Sequence, residues 1–123
     1  MILGIGTDIC EIARIAKAME NPRFLERWFT EEERTYIAGR NAASAAGMFA
    51  AKEAVAKALG TGFAGFGFSD IEILSDEKGK PVVHLHRKAA ELASSASVHL
   101  SISHDGGMAL AFAVIETKGG DQP

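Results

Sequence analysis

At 123 residues the chain is long enough to bury the core of one domain and too short for two. Its make-up, 47% hydrophobic and 24% charged with a formal net charge of −3, is that of a globular protein in water and excludes a general nucleic-acid binder, which carries a basic surplus. The single Cys10 excludes an intrachain disulfide and a multi-cysteine zinc site and predicts a reducing, cytoplasmic setting, while the lack of a long apolar run predicts no membrane span.

Met1 to Ile9 reads as a strand, with Leu3, Ile5, Thr7 and Ile9 on one face and Gly4, Gly6 and Asp8 on the other. The second face is almost bare, so another backbone, a helix or a ligand can come close, and Asp8 stands at the end of that cleared track. Asp8 is equally placed to cap the following helix. The start of the chain lacks a basic segment and meets Asp8 before an apolar run develops, which predicts no signal peptide. Gly4-x-Gly6 has Ile9 where the third glycine of a dinucleotide fingerprint belongs, and that reading is discarded.

Helical spacing of Ile12, Ile15, Ala16 and Met19 predicts a short helix over 11–19. Asn21-Pro22 restarts the chain and predicts a second over 23–28. Thr30-Glu31-Glu32-Glu33 matches a capping box for a third helix ending at Gly39, and the three glutamates are explained by the positive end of its macrodipole rather than by a metal. Asn41 and Ser44 are caps for a long, alanine-rich helix that ends at Gly60, with Met48, Ala51, Val55 and Leu59 forming its apolar stripe. Phe49, Glu53 and Lys57 lie four apart on a neighbouring line, placing a carboxylate and an ammonium one turn apart. That order is also the favourable one for a plain surface ion pair, and spacing alone leaves both readings open.

Gly60, Gly62, Gly65 and Gly67 then interleave with Phe63, Phe66 and Phe68 in a loop whose amides can turn toward an anion and whose rings either cover a base or anchor the loop to the core. Residues 71–74 and 81–85, joined by Asp76-Glu77-Lys78-Gly79-Lys80, predict a β-hairpin, and 87–95 a short helix. In a second hairpin Val98, Leu100 and Ile102 alternate with His99, Ser101 and Ser103, and His104-Asp105-Gly106-Gly107 turns into a strand over 108–115. That last strand is apolar on both faces, Ala109, Ala111 and Ala113 against Leu110, Phe112 and Val114, which predicts burial on two sides and a partner chain. The expectation is one domain over 1–117 and a disordered tail over 118–123.

Gly4-Ile5-Gly6-Thr7-Asp8-Ile9, then Phe49-Ala50-Ala51-Lys52-Glu53-Ala54 with Lys57-Ala58 and Gly60-Thr61-Gly62, then Ser101-Ile102-Ser103-His104, resemble in kind and order the holo-acyl-carrier-protein synthases of the 4′-phosphopantetheinyl transferase superfamily. The resemblance spans nearly the whole chain. It implies an α+β fold in which a mostly antiparallel sheet wraps around one long helix, and a homotrimer with active sites between subunits. It also implies transfer of 4′-phosphopantetheine from coenzyme A to a serine of an apo acyl carrier protein in fatty acid biosynthesis, with release of adenosine 3′,5′-bisphosphate.

That chemistry cleaves a pyrophosphate, and charge on the transferred and departing groups must be neutralised. Mg²⁺ does so with a few carboxylates plus phosphate oxygens and waters, and the resemblance assigns Asp8 and Glu53 to it. Lys57 is placed to meet phosphate oxygens, and Gly60, Thr61 and Gly62 offer amides and a hydroxyl. Lys52, pointing elsewhere on the helix, is assigned to coenzyme A, and the resemblance places His104 near the nucleotide end of that substrate; His84, His86 and His99 are read as structural. The base that deprotonates the carrier serine is left open between Asp8, acting through water, and Glu53. Where the family commonly has arginine before Phe-Ala-Ala-Lys-Glu this chain has Met48, so a positive charge is missing there.

For the carrier, the stretch from Arg14 to Arg27 sets Arg14, Lys17, Arg23 and Arg27 against Glu20 and Glu26, a net +2 in a chain of net −3. With Met19, Phe24 and Leu25 as an apolar centre it suits an acidic partner, and the resemblance places Arg14 against the carrier. A coenzyme-A-binding module without turnover is the alternative reading. Two carboxylates beside a polyphosphate speak against it, because they repel the ligand unless a cation lies between.

Overall fold

A computed structural model describes residues 1–60 and 66–117, so the expectations for Thr61, Gly62, Phe63 and the tail over 118–123 lie outside the described residues. Among the described residues five strands and five helices follow in the order β1 (Ile2–Glu11), α1 (Ile12–Ala18), α2 (Pro22–Trp28), α3 (Glu31–Ala38), α4 (Ala42–Ala58), β2 (Ile71–Ser75), β3 (Pro81–Leu85), α5 (Arg87–Ala93), β4 (Ser97–Asp105) and β5 (Met108–Glu116), with a 3-10 turn at Phe68–Asp70. The fold is α+β, and every strand pair is antiparallel: β1, β5 and β4 form one sheet in that order, and β2 and β3 form a separate ribbon.

Helix α4 is the centre of the molecule. Asn41 caps it by accepting from Ser44 N, and Gly60 leaves it with φ 92°, a left-handed value that glycine adopts without strain. Small side chains let the sheet come close. A Cβ on Gly6 would stand 1.9 Å from the carbonyl oxygen of Ala54, and one on Gly4 equally close to that of Ala58, so the bare face of β1 is where α4 lies. Alanines at 109, 111 and 113 of β5 form the rest of the floor and are buried. The single apolar stripe expected for α4 understates its burial: from Ala45 to Ala58 only Glu53 and Lys57 escape the core.

The other face of the sheet is bare. Leu3, Ile5 and Ile9 of β1 and Leu110 and Phe112 of β5 are between 44% and 59% exposed, while β4 presents His99, Ser101 and Ser103 on that side. A row of large apolar side chains on an open sheet is larger than the single exposed apolar residues an ordinary surface carries.

Strand β1 runs two residues further than the alternation predicted, to Glu11, because its pairing with β5 continues to Met108. The capping box of α3 is formed, with Thr30 Oγ1 accepting from Glu33 N and Glu33 Oε1 accepting from Thr30 N. No helix among the described residues is long and apolar enough to cross a membrane.

Candidate active site

Asp8 leaves β1 on the face that Gly4 and Gly6 clear, and it does not cap α1, whose N-cap is Glu11 without a side-chain bond. Lys57 reaches across from the last turn of α4, donating to Thr7 O at 2.9 Å and meeting Asp8 Oδ1 at 3.4 Å. The ion pair that spacing allowed within the helix is therefore not made: Lys57 pairs with Asp8, and among the described residues Glu53 has no ion pair. Burial pushes the Glu53 carboxyl above its ordinary range, and the negative charge of Asp8 pushes it further, against the smaller pull of Lys57 and Arg14. Two carboxylates from β1 and α4 thus share one electrostatic environment, with Arg14 of α1 within its reach. Among the described residues no group of three His, Cys, Asp or Glu side chains converges, so an ion here would have two protein carboxylates and would take its remaining ligands from substrate and water. An oxygen-only pair that repels itself suits a hard divalent cation.

The neighbouring Cys10 is buried beneath this pair, donating to Ala46 O at 3.5 Å. Burial raises its thiol pKa, Asp8 adding to the effect, which makes Cys10 inert packing rather than a nucleophile.

Lys52 requires a correction. Expected at coenzyme A from its place on the helix, it is fully buried and its ammonium protons are all used inside the protein: on Glu33 Oε1 at 2.6 Å, Trp28 O at 2.9 Å and Phe68 O at 3.0 Å. Glu33, equally buried, also accepts from Ile73 N at 2.7 Å. Burial moves Glu33 up and Lys52 down in pKa, each by more than the partner's charge pulls back. This buried lock between α3, α4, β2 and the 3-10 turn was missed in the sequence. Its only local trace is that Glu33 doubles as the capping-box glutamate, and nothing near it names Lys52 as the partner.

His104 lies elsewhere. With Tyr36, Ala43, Ser44, Gly47, Met48, Ile73, Pro81 and Ile102 it lines a pocket of about 220 Å³ between α3, α4, the β2–β3 ribbon and β4. Asp8 and His104 are on the two outer strands of the sheet, with β5 between them. Met48 and Lys57 are nine residues apart, about two and a half turns, and so point from opposite flanks of α4. Within one chain the pocket and the carboxylate pair face away from each other.

Of the basic stretch, Arg14, Arg23 and Arg27 are exposed on α1 and α2. Met19, Phe24 and Leu25 are half-buried against the core, so the apolar centre expected among the arginines is largely turned inward. Phe66 and Phe68 also pack inward, anchoring rather than covering.

The comparisons with known proteins agree with one another. The family model described as the 4′-phosphopantetheinyl transferase superfamily matches residues 4–113. A curated holo-[acyl-carrier-protein] synthase of Clostridium botulinum is 54% identical over 121 residues, covering 94% of this chain and 98% of that protein. One from Alkaliphilus metalliredigens is also 54% identical, over 120 residues, covering 93% and 98%. Among solved structures, a holo-(acyl-carrier-protein) synthase from Bacillus anthracis in complex with CoA (3′,5′-ADP) superposes with a TM-score of 0.83 at 41% identity, covering 96% of this chain and 99% of that one. The Helicobacter pylori holo-[acyl-carrier-protein] synthase in complex with coenzyme A gives 0.83 at 37%, covering 91% and 99%.

Proposed function

The chain belongs to the 4′-phosphopantetheinyl transferase superfamily and transfers 4′-phosphopantetheine from coenzyme A to an apo acyl carrier protein, and we propose that it does so with a divalent cation, Mg²⁺, held between Asp8 and Glu53. The observation that carries the metal assignment is the mutual repulsion of two partly buried carboxylates, which a shared cation relieves. When bound, Mg²⁺ neutralises charge on the pyrophosphate undergoing cleavage. The carrier serine oxygen attacks the pantetheine-side phosphorus, a new P–O bond forms, and the bond to the 3′,5′-bisphosphate breaks. Glu53 and Asp8 are the two carboxylates at hand to take the serine proton, Glu53 directly or Asp8 through a water, and Lys57 engages Asp8. Lys57, half-exposed, shifts from Thr7 O to the phosphate oxygens of the departing group.

The nucleotide end of coenzyme A occupies the pocket beside Met48, with His104 at its wall. Because that pocket and the carboxylate pair face away from each other in one chain, a complete site needs the pair of one protomer and the pocket of the next. A head-to-tail contact of this kind closes into a ring, which supports the trimer. The open apolar face of β1 and β5 supplies the surface. Phe112→Glu, at a residue that touches no substrate, is expected to leave the circular dichroism of the fold intact, to give a monomer in sedimentation and to lose nearly all transfer. A Phe112→Glu chain that still sediments as a trimer would place the contact elsewhere.

The carrier is proposed to dock on Arg14, Arg23 and Arg27. Arg14 is exposed and close enough to act on Glu53, so a carrier held there delivers its serine to the pair. Arg14→Glu is expected to raise KM for apo carrier about tenfold while barely changing that for coenzyme A, and added salt should weaken carrier binding. Equal effects on both substrates would move the carrier site. The activity itself is tested by incubating the chain with coenzyme A, Mg²⁺ and apo carrier and weighing the carrier: a mass gain of one phosphopantetheine supports the reading, and an unchanged mass overturns it. The lone buried Cys10 supports a cytoplasmic location.

A further inference from the structure

Helix α1 starts without the usual aids. Glu11 is both the last residue of β1 and the N-cap of α1, its side chain makes no capping bond, and the first turn holds no acidic residue. A helix of seven residues does not hold itself together in water, so α1 takes its place from what it touches. Ile15 is buried against the core and sets its depth. Its first amide is held from the far end of the chain: Ile12 N donates to Gly107 O at 2.9 Å.

Gly106 and Gly107 make the turn between β4 and β5, closing on the pair Asp105 and Met108, and both have left-handed backbone, with φ 57° and 80°. Positive φ at both central positions is the mark of a type I′ turn, whose middle carbonyls lie outside the strand ladder. Gly107 O is thus open to α1, and the chain reaches it at once because Glu11 is paired with the same Met108. A Cβ on either glycine would meet nothing within 4 Å, so nothing around the turn excludes a side chain; what calls for glycine is the backbone shape that aims the carbonyl. In the first turn of α1 stands Arg14, exposed, and near enough to Glu53 and Cys10 for its charge to act on both.

We propose that the Gly106–Gly107 turn is a positioning element for the acyl carrier: by holding the first amide of α1 it sets where Arg14 stands beside the carboxylate pair. The inference rests on the reading that the carrier docks on Arg14. The same hairpin carries His104 on its β4 arm, at the wall of the pocket, so a distorted turn can act at either of two places, and the two substrates report them separately.

The test measures KM for apo carrier and for coenzyme A, each with the other substrate saturating and Mg²⁺ present, below the melting temperature of every chain compared. The chains are the intact one, Gly107→Val, Gly107→Asn, Arg14→Ala, and Gly107→Val combined with Arg14→Ala. Valine and asparagine both enter open space, but asparagine adopts left-handed backbone with little strain and the β-branched valine does not. Gly107→Val is expected to raise KM for the carrier about fivefold while KM for coenzyme A and kcat stay within about twofold. Gly107→Asn should stay within about twofold of the intact chain in all three. Adding Gly107→Val to Arg14→Ala should raise the carrier KM no further than Arg14→Ala alone, because the turn acts through that side chain. A rise confined to coenzyme A, equal losses in the valine and asparagine variants, or the full effect of Gly107→Val on top of Arg14→Ala overturns the inference and leaves carrier docking on Arg14 standing. An Arg14→Ala chain with unchanged carrier KM removes the docking reading itself, and the inference falls with it.

Discussion

Glu53→Gln is expected to reduce transfer by about a thousandfold or more and, with divalent cations removed, to raise the melting temperature above that of the unaltered chain. The two effects have one cause. Burial and the neighbouring Asp8 raise the Glu53 pKa in the folded state above its unfolded value. A carboxyl raised in this way contributes stability that is fully present below the unfolded carboxylate range and is lost as pH rises through the folded value, so at neutral pH the ionised group is a burden on the fold. Glutamine has nearly the same shape without the charge. Adding Mg²⁺ should raise the melting temperature of the unaltered chain by mass action and leave the variant where it is, which separates the metal from the chemistry without an activity measurement. Asp8→Asn should behave alike in activity, and combining the two should cost little more than either, because one absent carboxylate already breaks the unit. A Glu53→Gln chain with near-normal turnover, or one whose melting temperature still responds to Mg²⁺ as the unaltered chain does, would overturn the shared-cation reading.

What could be read from the sequence was local or periodic. The cleared face of β1 was legible because alternation puts Gly4, Gly6 and Asp8 on one side and because two absent side chains mean close approach; α4 fills that space, with the Ala54 and Ala58 carbonyls where Cβ atoms would be. The caps at Asn41 and Thr30 and both hairpins follow from neighbouring residues in the same way. The long-range partners were not legible. Spacing offered Glu53 as the partner of Lys57, whereas Lys57 joins Asp8, 49 positions away in sequence. The pocket draws its walls from α3, α4, the β2–β3 ribbon and β4, and no single stretch carries a signal for it. The large apolar side chains of β1 and β5 are plain in the sequence, but only the folded sheet shows that a single chain leaves them open.

Lys52→Met should give the largest loss of stability among these variants, about 3–5 kcal/mol in denaturant unfolding, because it strands Glu33 as an unpaired charge in the core. Three acceptors lose their donor together: Glu33, the carbonyl of Trp28 at the end of α2, and that of Phe68 in the 3-10 turn. The loss should depend on pH with a definite sign. Glu33 already has a raised pKa in the fold, and without Lys52 its main opposing charge is gone, so the pKa rises further. A raised carboxyl adds stability below its unfolded value and loses it as pH climbs through the folded value; the variant should therefore recover much of its deficit as pH is lowered from neutral toward the unfolded carboxylate range. Adding Glu33→Gln to Lys52→Met should recover part of it at neutral pH as well, since the amide removes the stranded charge and its oxygen still accepts from Ile73 N, while the Trp28 and Phe68 carbonyls stay without their donor. A deficit that is the same at every pH would mean that lost packing, not the lone carboxylate, is responsible. The double variant also tests the corrected role of Lys52. Assayed below its melting temperature it should keep KM for coenzyme A within about threefold, because a side chain enclosed by Glu33, Trp28 and Phe68 has no proton left for a phosphate; a tenfold rise in that KM alone, with kcat and stability restored, would return Lys52 to the coenzyme A site.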